Sequence, residues 1–514
     1  MALSRLQLPK WLDQQTSLQV DHPFTLSCIL IFFTLFMVWL ANRYRTKKLT
    51  NNLPPSPPKL PIIGNLHQLG SLFHYHIHIL SEKYGPIMLL HLGSVPTLVV
   101  SSPDMAREIK ATHEIVFANR PRTTAMNMLL YGCTNIVFSP YGEYWARLRK
   151  ISAMELLSNR MVQSFRYIRE EETALMIQKI TCLSSAQSSV NLTQLLKTLT
   201  NDTICRCALG RKHGEEDGKM NRADLAVELV KMMSTLCVGD LFPRFGWIDK
   251  ITGWTGRIKK LSKDVDMYLD QIIDEHIIQN NKDDPQYNQD FVDVLLQIQK
   301  NDINFTRQNI KALILDMFIG GTDSTYKTIE WTMAELLQNP NVMRKAQEEV
   351  RKVVGTNKKV EEDDIQKMKY LKLVVKESMR LHPVSGINIA ESSKATNVKG
   401  FQVPAKTPIF LNYWSIQRNS KSWERPEEFI PERFTNNAVD SGGQDFNFAP
   451  FGLGRRICPG KSFALSVVEF TLANLLYWFG WKTVGGEKLD MSEAFTSTIC
   501  LKMPVHLVAV PYFS

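Results

Sequence analysis

The chain has 514 residues, 44% apolar and 22% charged, with 61 Lys plus Arg against 51 Asp plus Glu for a net charge of +10. These fractions exclude wholesale disorder, collagen and coiled coil. Eight sparse cysteines without a CxxC pair exclude a disulfide scaffold and a zinc ribbon.

Residues 24–40 read FTLSCILIFFTLFMVWL and carry no charge. As a helix they reach about 26 Å, enough for a hydrocarbon core. A cleaved signal peptide would be shorter and end in small residues, whereas Asn42-Arg43-Tyr44-Arg45 follows here. The sequence therefore predicts a lumenal lead over 1–23 and a retained single span over 24–41. Arg43, Arg45, Lys47 and Lys48 place the remaining bulk in the cytosol. The rest of the basic excess is spread along the chain, which argues against nucleic acid and for a docking face toward an acidic protein partner. Residues 42–66 form a basic, proline-rich linker, Leu53-Pro54-Pro55-Ser56-Pro57-Pro58 being stiff and extended. The body runs over 67–514.

The body alternates little and repeats nothing. His74, His76 and His78 would share one face of a strand and could bind metal there. Leu80 to Tyr84 beyond them looks helical, and a solvated surface is the plainer expectation. Helical periodicity dominates over 223–236, 258–279, 307–338, 342–354, 370–380 and 461–479. Strand-like runs are short, over 87–92, 97–100, 401–403, 408–411 and 506–510. The prediction is a mostly α single large domain with small β-sheets.

The chemistry concentrates in Pro450-Phe451-Gly452-Leu453-Gly454-Arg455-Arg456-Ile457-Cys458-Pro459-Gly460. One cysteine sits in a glycine-rich loop before an apolar helix, whose amino terminus would lower its thiol pKa. Gly454 and Gly460 admit a close, flat neighbour, and Arg456 offers a cation to a carboxylate. A thiolate, close backbone approach and a carboxylate clamp suit haem. Upstream, Gly320-Gly321-Thr322-Asp323-Ser324-Thr325 interrupts a predicted helix, each glycine costing about 1 kcal/mol there.

These segments resemble the cytochrome P450 family, in particular its plant microsomal branch acting in specialised metabolism. Phe451, Gly454, Arg456, Cys458 and Gly460 meet its pattern FxxGxRxCxG, Glu377 and Arg380 its ExxR, Pro431 to Phe434 its PERF and Trp145 and Arg149 its WxxxR. The resemblance implies the cytochrome P450 fold and haem b, with Cys458 as iron ligand and Trp145, Arg149 and Arg456 on the propionates. It implies an ion network of Glu377, Arg380 and Arg433. Asp323, Ser324 and Thr325 become the proton-delivering residues at an oxygen groove. Serine at 324 replaces the family's usual threonine and loses the methyl that restricts its rotamer, so more leakage to peroxide is expected. The family's Pro-Arg-Glu stands here as Ile389-Ala390-Glu391, lacking a propionate-binding arginine in a segment that lines the family's substrate pocket. Pocket positions carried over are Met126, Asn127, Met128, Leu129, Phe318, Ile319, Gly320, Val384, Ile387, Asn388 and Phe495. The same side chains would serve equally as ordinary core.

The implied activity is a monooxygenase in the endoplasmic reticulum membrane, using O2 and NADPH-derived electrons from a membrane-bound NADPH–cytochrome reductase. It would hydroxylate, desaturate, epoxidise or oxidatively cyclise a lipophilic plant terpenoid, alkaloid or phenylpropanoid. Two alternatives stand beside it: a reductase-independent isomerase or dehydratase on the same haem fold, and a catalytically silent haem-binding membrane protein.

Overall fold

The computed structural model describes residues 52–212, 222–279, 289–356, 359–435 and 445–513, together with 27, 30, 33, 34 and 37. The chain divides into two units, Met1–Leu53 and Pro54–Ser514. In the first, the five described residues of the expected span are helical, and Leu30, Phe33 and Met37 are exposed. The rest of that span lies outside the described residues. Among the described residues, no helix is long and apolar enough to cross a membrane.

The second unit is mostly helical with small sheets. The elements that position the site are α1 (Phe73–Tyr84), β1 (Ile87–Leu92), β2 (Val95–Val100), α2 (Glu143–Ile151), α3 (Leu192–Leu209), α4 (Arg307–Gly321), α5 (Asp323–Gln338), α6 (Lys369–Leu381), β3 (Ile387–Glu391), β4 (Pro408–Asn412), α7 (Lys461–Trp478), β5 (Glu493–Phe495) and β6 (Ile499–Leu501). The proline run belongs to this unit. Leu89 N donates to Pro55 O at 2.8 Å and Gln68 Nε2 to Pro58 O at 2.9 Å. Chain from Pro54 onward, rather than from 67, is therefore bonded into the body.

Local sequence explains the helices that matter. Thr306 caps α4 reciprocally with Asn309, whose Oδ1 accepts from Thr306 N at 2.8 Å. In α6 the buried apolar residues Leu371, Val374, Val375 and Met379 recur at helical spacing, giving one core face. The predicted helix 307–338 breaks at Thr322, directly after the paired glycines. Gly321 approaches α3 closely there: a Cβ would lie 2.9 Å from Ile204 Cδ1, and that side chain would have to shift to admit it. Trp331 and Leu336 of α5, Val374 of α6 and Leu472 of α7 pack into the largest core cluster. Burying each such side chain stabilises the fold by roughly 1.5–3 kcal/mol.

One four-stranded sheet has the order β1-β2-β4-β3. β1 pairs antiparallel with β2, β2 parallel with β4 (Leu98 opposite Ile409), and β4 antiparallel with β3 (Phe410 opposite Ile389). β5 and β6 form a hairpin, Phe495 opposite Ile499.

The histidine trio lies on α1, so its members do not share a strand face. His74 is buried with Nε2 2.7 Å from Glu493 Oε2, His76 contacts Leu72 O and His78 contacts Ser415 Oγ. Helical rotation turns His76 away from His74 and His78, which both lie against the Trp414 ring, and each imidazole has its own hydrogen-bond partner, contrary to both a metal site and a purely solvated surface.

Candidate active site

The loop 450–460 turns tightly into α7. Gly454 has φ +67, and a Cβ there would fall 2.6 Å from Glu114 Oε1, so the turn against Glu114 needs glycine. Cys458 N donates to Phe451 O at 2.9 Å, which fixes the cysteine backbone. The side chain opens onto a cavity of about 290 Å³. Trp145, Arg149, Phe451, Arg456 and Gly460 also line it, with Ile136, Val137, Leu157 and Phe463. Burial pushes the Cys458 thiol up, against the opposing pull of the Gly460 N–H and the Arg149 guanidinium. This corrects the depressed thiol expected from the helix start: desolvation in the cavity outweighs the helix end. A bound metal cation would reverse that balance.

The cavity wall is cationic and unbalanced. Arg456 donates to four loop carbonyls: Nε to Ala118 O at 2.9 Å, Nη1 to Ile136 O at 3.1 Å and Val137 O at 3.3 Å, and Nη2 to Ser139 O at 2.6 Å. Its guanidinium lies 4.5 Å from the Trp145 ring, whose Nε1 donates to Ile136 O at 3.1 Å. Arg120, which sequence reasoning missed, also lines the cavity and donates from Nη1 to Ile389 O at 2.6 Å. Its only sequence signal is its place before Pro121, where the chain must run extended. Burial and the neighbouring Arg120 and Arg149 push Arg456 down to about 9. Burial also lowers Arg120 and Arg149. Nearby Lys110 is pushed down to about 7 by burial, Arg120 and Arg456. Among the described residues, none of the three arginines makes a salt bridge.

The helix break forms the opposite wall, with Asp316, Gly320, Gly321, Ser324 and Thr325 on the cavity. Ser324 Oγ donates to Gly320 O at 2.8 Å. Thr325 Oγ1 is buried without a hydrogen-bond partner among the described residues. Asp316, also missed from sequence, accepts from Asn135 Nδ2 at 2.6 Å and Ile136 N at 2.7 Å. Burial pushes it up to about 7. Asp323 lines a second cavity, of about 1060 Å³, instead. Burial would raise its carboxyl, but Lys327 and the Thr498 and Ser497 hydroxyls outweigh it and hold the group below the usual range.

The structure brings Glu377, Arg380 and Arg433 together. Arg380 Nε donates to Glu377 Oε2 at 2.8 Å and Nη2 to Oε1 at 3.0 Å, and Arg433 Nε reaches Oε1 at 2.9 Å. Ile430 N gives the same carboxylate a further donor, while Arg380 Nη1 donates to Gln417 O and Pro426 O.

The carried-over pocket positions scatter. Gly320, Val384 and Asn388 line the cavity. Phe318 and Ile319 line the second cavity. Leu129 belongs to a core cluster and the half-buried Met126 and Met128 pack against it, because the short helix Thr124–Leu129 turns Ala125 and Leu129 inward. Asn127 lies on that same helix. Ile387 packs with the sheet core, and Phe495 lies 6.0 Å from the His74 ring.

Residues 54–507 match the family described as Cytochrome P450. The chain belongs to the cytochrome P450 family. Among its relatives, Cytochrome P450 71A1 of Persea americana is 50% identical over 88% of this chain and 92% of that protein. Desmethylyatein synthase of Sinopodophyllum hexandrum is 45% identical over 93% and 98%, and the phenylacetaldehyde oxime monooxygenase of Prunus mume 43% over 94% of both. The protein is a cytochrome P450 monooxygenase of the plant specialised-metabolism branch. The family's cofactor is haem b, used with O2 and NADPH-derived electrons from a reductase. The cytochrome P450 cavity fits such a group: a thiol, an apolar interior and three unpaired guanidiniums match an iron macrocycle carrying two carboxylates.

Proposed function

We propose that the chain is a membrane-anchored haem-thiolate monooxygenase that oxidises a lipophilic plant metabolite of terpenoid, alkaloid or phenylpropanoid type. The observation that carries this reading is the single cavity faced by Cys458, by unpaired Arg120, Arg149 and Arg456, and by the broken helix. Cys458 would hold the iron, and Trp145, Arg149, Arg456 and Arg120 would hold the propionates. Arg120 reaches Ile389 O in the segment that lacks the family's usual arginine and supplies a cation there. Haem supplies the oxidising chemistry when bound.

The chain's own residues do the rest. Ile136, Val137, Leu157, Phe463 and Val468 exclude water. Val384 and Asn388 face the substrate with few polar handles, which suits an apolar molecule. Ser324 Oγ spends its proton on Gly320 O, while the unpartnered Thr325 hydroxyl is free to orient a small polar molecule. Asp323 would pass protons in from the second cavity. We infer a single span over 24–41 in the endoplasmic reticulum membrane, with the basic residues behind it holding the body in the cytosol.

Purified protein, reduced and exposed to carbon monoxide, should give the thiolate-type Soret band, and Cys458→Ala should abolish it. With reductase and NADPH, a plant metabolite panel should yield an oxygenated or desaturated product. Turnover by hydroperoxide together with no product from O2, NADPH and reductase would overturn the monooxygenase reading.

A further inference from the structure

Lys327 stands one turn beyond Asp323 on α5 and is only 1% exposed. An ammonium held away from water must be met by protein groups. Lys327 Nζ lies 2.8 Å from Asp323 Oδ2 and donates to Thr498 Oγ1 at 2.5 Å and Thr496 Oγ1 at 3.2 Å. The same carboxylate oxygen accepts from Thr498 Oγ1 at 2.6 Å and Ser497 Oγ at 3.1 Å. Residues 496–498 connect β5 to β6, so one oxygen joins the broken helix to the hairpin. The other titratable groups facing this knot are Tyr326, Glu330, Cys500 and Lys197. Glu330 takes the Thr193 hydroxyl, and Lys197 lies 5.3 Å from the Tyr326 ring. Neither reaches the Asp323 carboxylate as Lys327 does.

On an exposed helix such a spacing is worth only a few tenths of a kcal/mol. Buried, the pair governs which way Asp323 points and what charge it carries. We propose that Lys327 is a positioning residue: with the Ser497 and Thr498 hydroxyls it ties Asp323 into the second cavity as a carboxylate, so that a proton travels inward only when this ion pair opens. The proposal rests on the proton-delivering role given to Asp323 above.

The test uses full-length, haem-loaded protein carrying Lys327→Met, Lys327→Arg or Thr498→Val. The infrared band of a protonated carboxyl is followed against pH and assigned to Asp323 by its loss when Asp323→Asn is added. Removing the lysine charge should move the midpoint of that band upward by a unit or more, about a tenfold gain in proton affinity. Lys327→Arg should keep the parent midpoint, and Thr498→Val should move it upward by less. Product formed per NADPH should follow the same midpoint in each variant. A midpoint unchanged in both Lys327→Met and Thr498→Val overturns the proposal, and Thr498→Val alone decides it should Lys327→Met not fold. Undiminished product per NADPH in Asp323→Asn would be a separate failure, that of Asp323 as proton carrier.

Discussion

Two buried clusters of arginine differ in one respect. Around Glu377, the charges of Arg380 and Arg433 meet a carboxylate that itself takes a backbone N–H, and the remaining donors find carbonyls. Around the cavity, Arg120, Arg149 and Arg456 have no salt-bridge partner among the described residues, Asp316 on the opposite wall being bonded to Asn135 Nδ2 and Ile136 N instead. A buried network that is complete stabilises the fold it sits in; one left short of a counter-charge is shaped for something the chain does not supply.

Removing one member of the complete network should have the largest effect. Glu377→Gln leaves two buried guanidiniums uncompensated and should cost about 3–5 kcal/mol, read as loss of folded protein and of the carbon monoxide band together. Arg149→Met should separate the two properties. Ligand-free protein should melt at the parent temperature or above, since an unpaired buried charge has gone. Haem should dissociate about tenfold faster, as expected for one lost charge-assisted bond. Faster dissociation with an equally lowered ligand-free melting temperature would erase the distinction between the clusters.

The third effect is a slope with pH rather than a step. Lys110 titrates at about 7 in the fold against the ordinary lysine range in the unfolded chain. Between those values the unfolded chain binds the extra proton, so this group makes stability rise with pH from about 7 to about 10. Denaturant titrations of ligand-free protein across that window should show the rise, and Lys110→Met should remove it. Bound carboxylates should flatten it as well by offsetting Arg120 and Arg456.

Sequence revealed what is local. Cys458, Gly454 and Arg456 share one loop, Glu377 and Arg380 one helical turn, and paired glycines mark the break before Asp323. What sequence hid is brought together from afar or is too short to have a period. Asp316 is a single polar residue among apolar neighbours and Arg120 one of several polar residues in its segment, each joined to the cavity only by packing. Strands Glu493–Phe495 and Ile499–Leu501 have three residues each, too few for alternation to register. Met126, Met128 and Leu129 read equally as pocket or core, and the rotation of a six-residue helix buries Leu129 while leaving Met126 and Met128 half-buried beside it. The thiol shift was misjudged because helix position is visible in a sequence and desolvation is not.

The parallel pairing of β2 with β4 has a consequence for synthesis. Val100 ends one strand and Pro408 begins the other, so about 300 residues (408 − 100) separate the partners. At roughly 5–20 residues per second, a ribosome needs about 15–60 s to bridge that gap. Through that interval β1 and β2 exist as a hairpin with one open margin, prone to bond to a stranger. Nascent chains therefore need shielding for about 15–60 s, and translation speed between positions 100 and 408 governs how many survive to close the sheet.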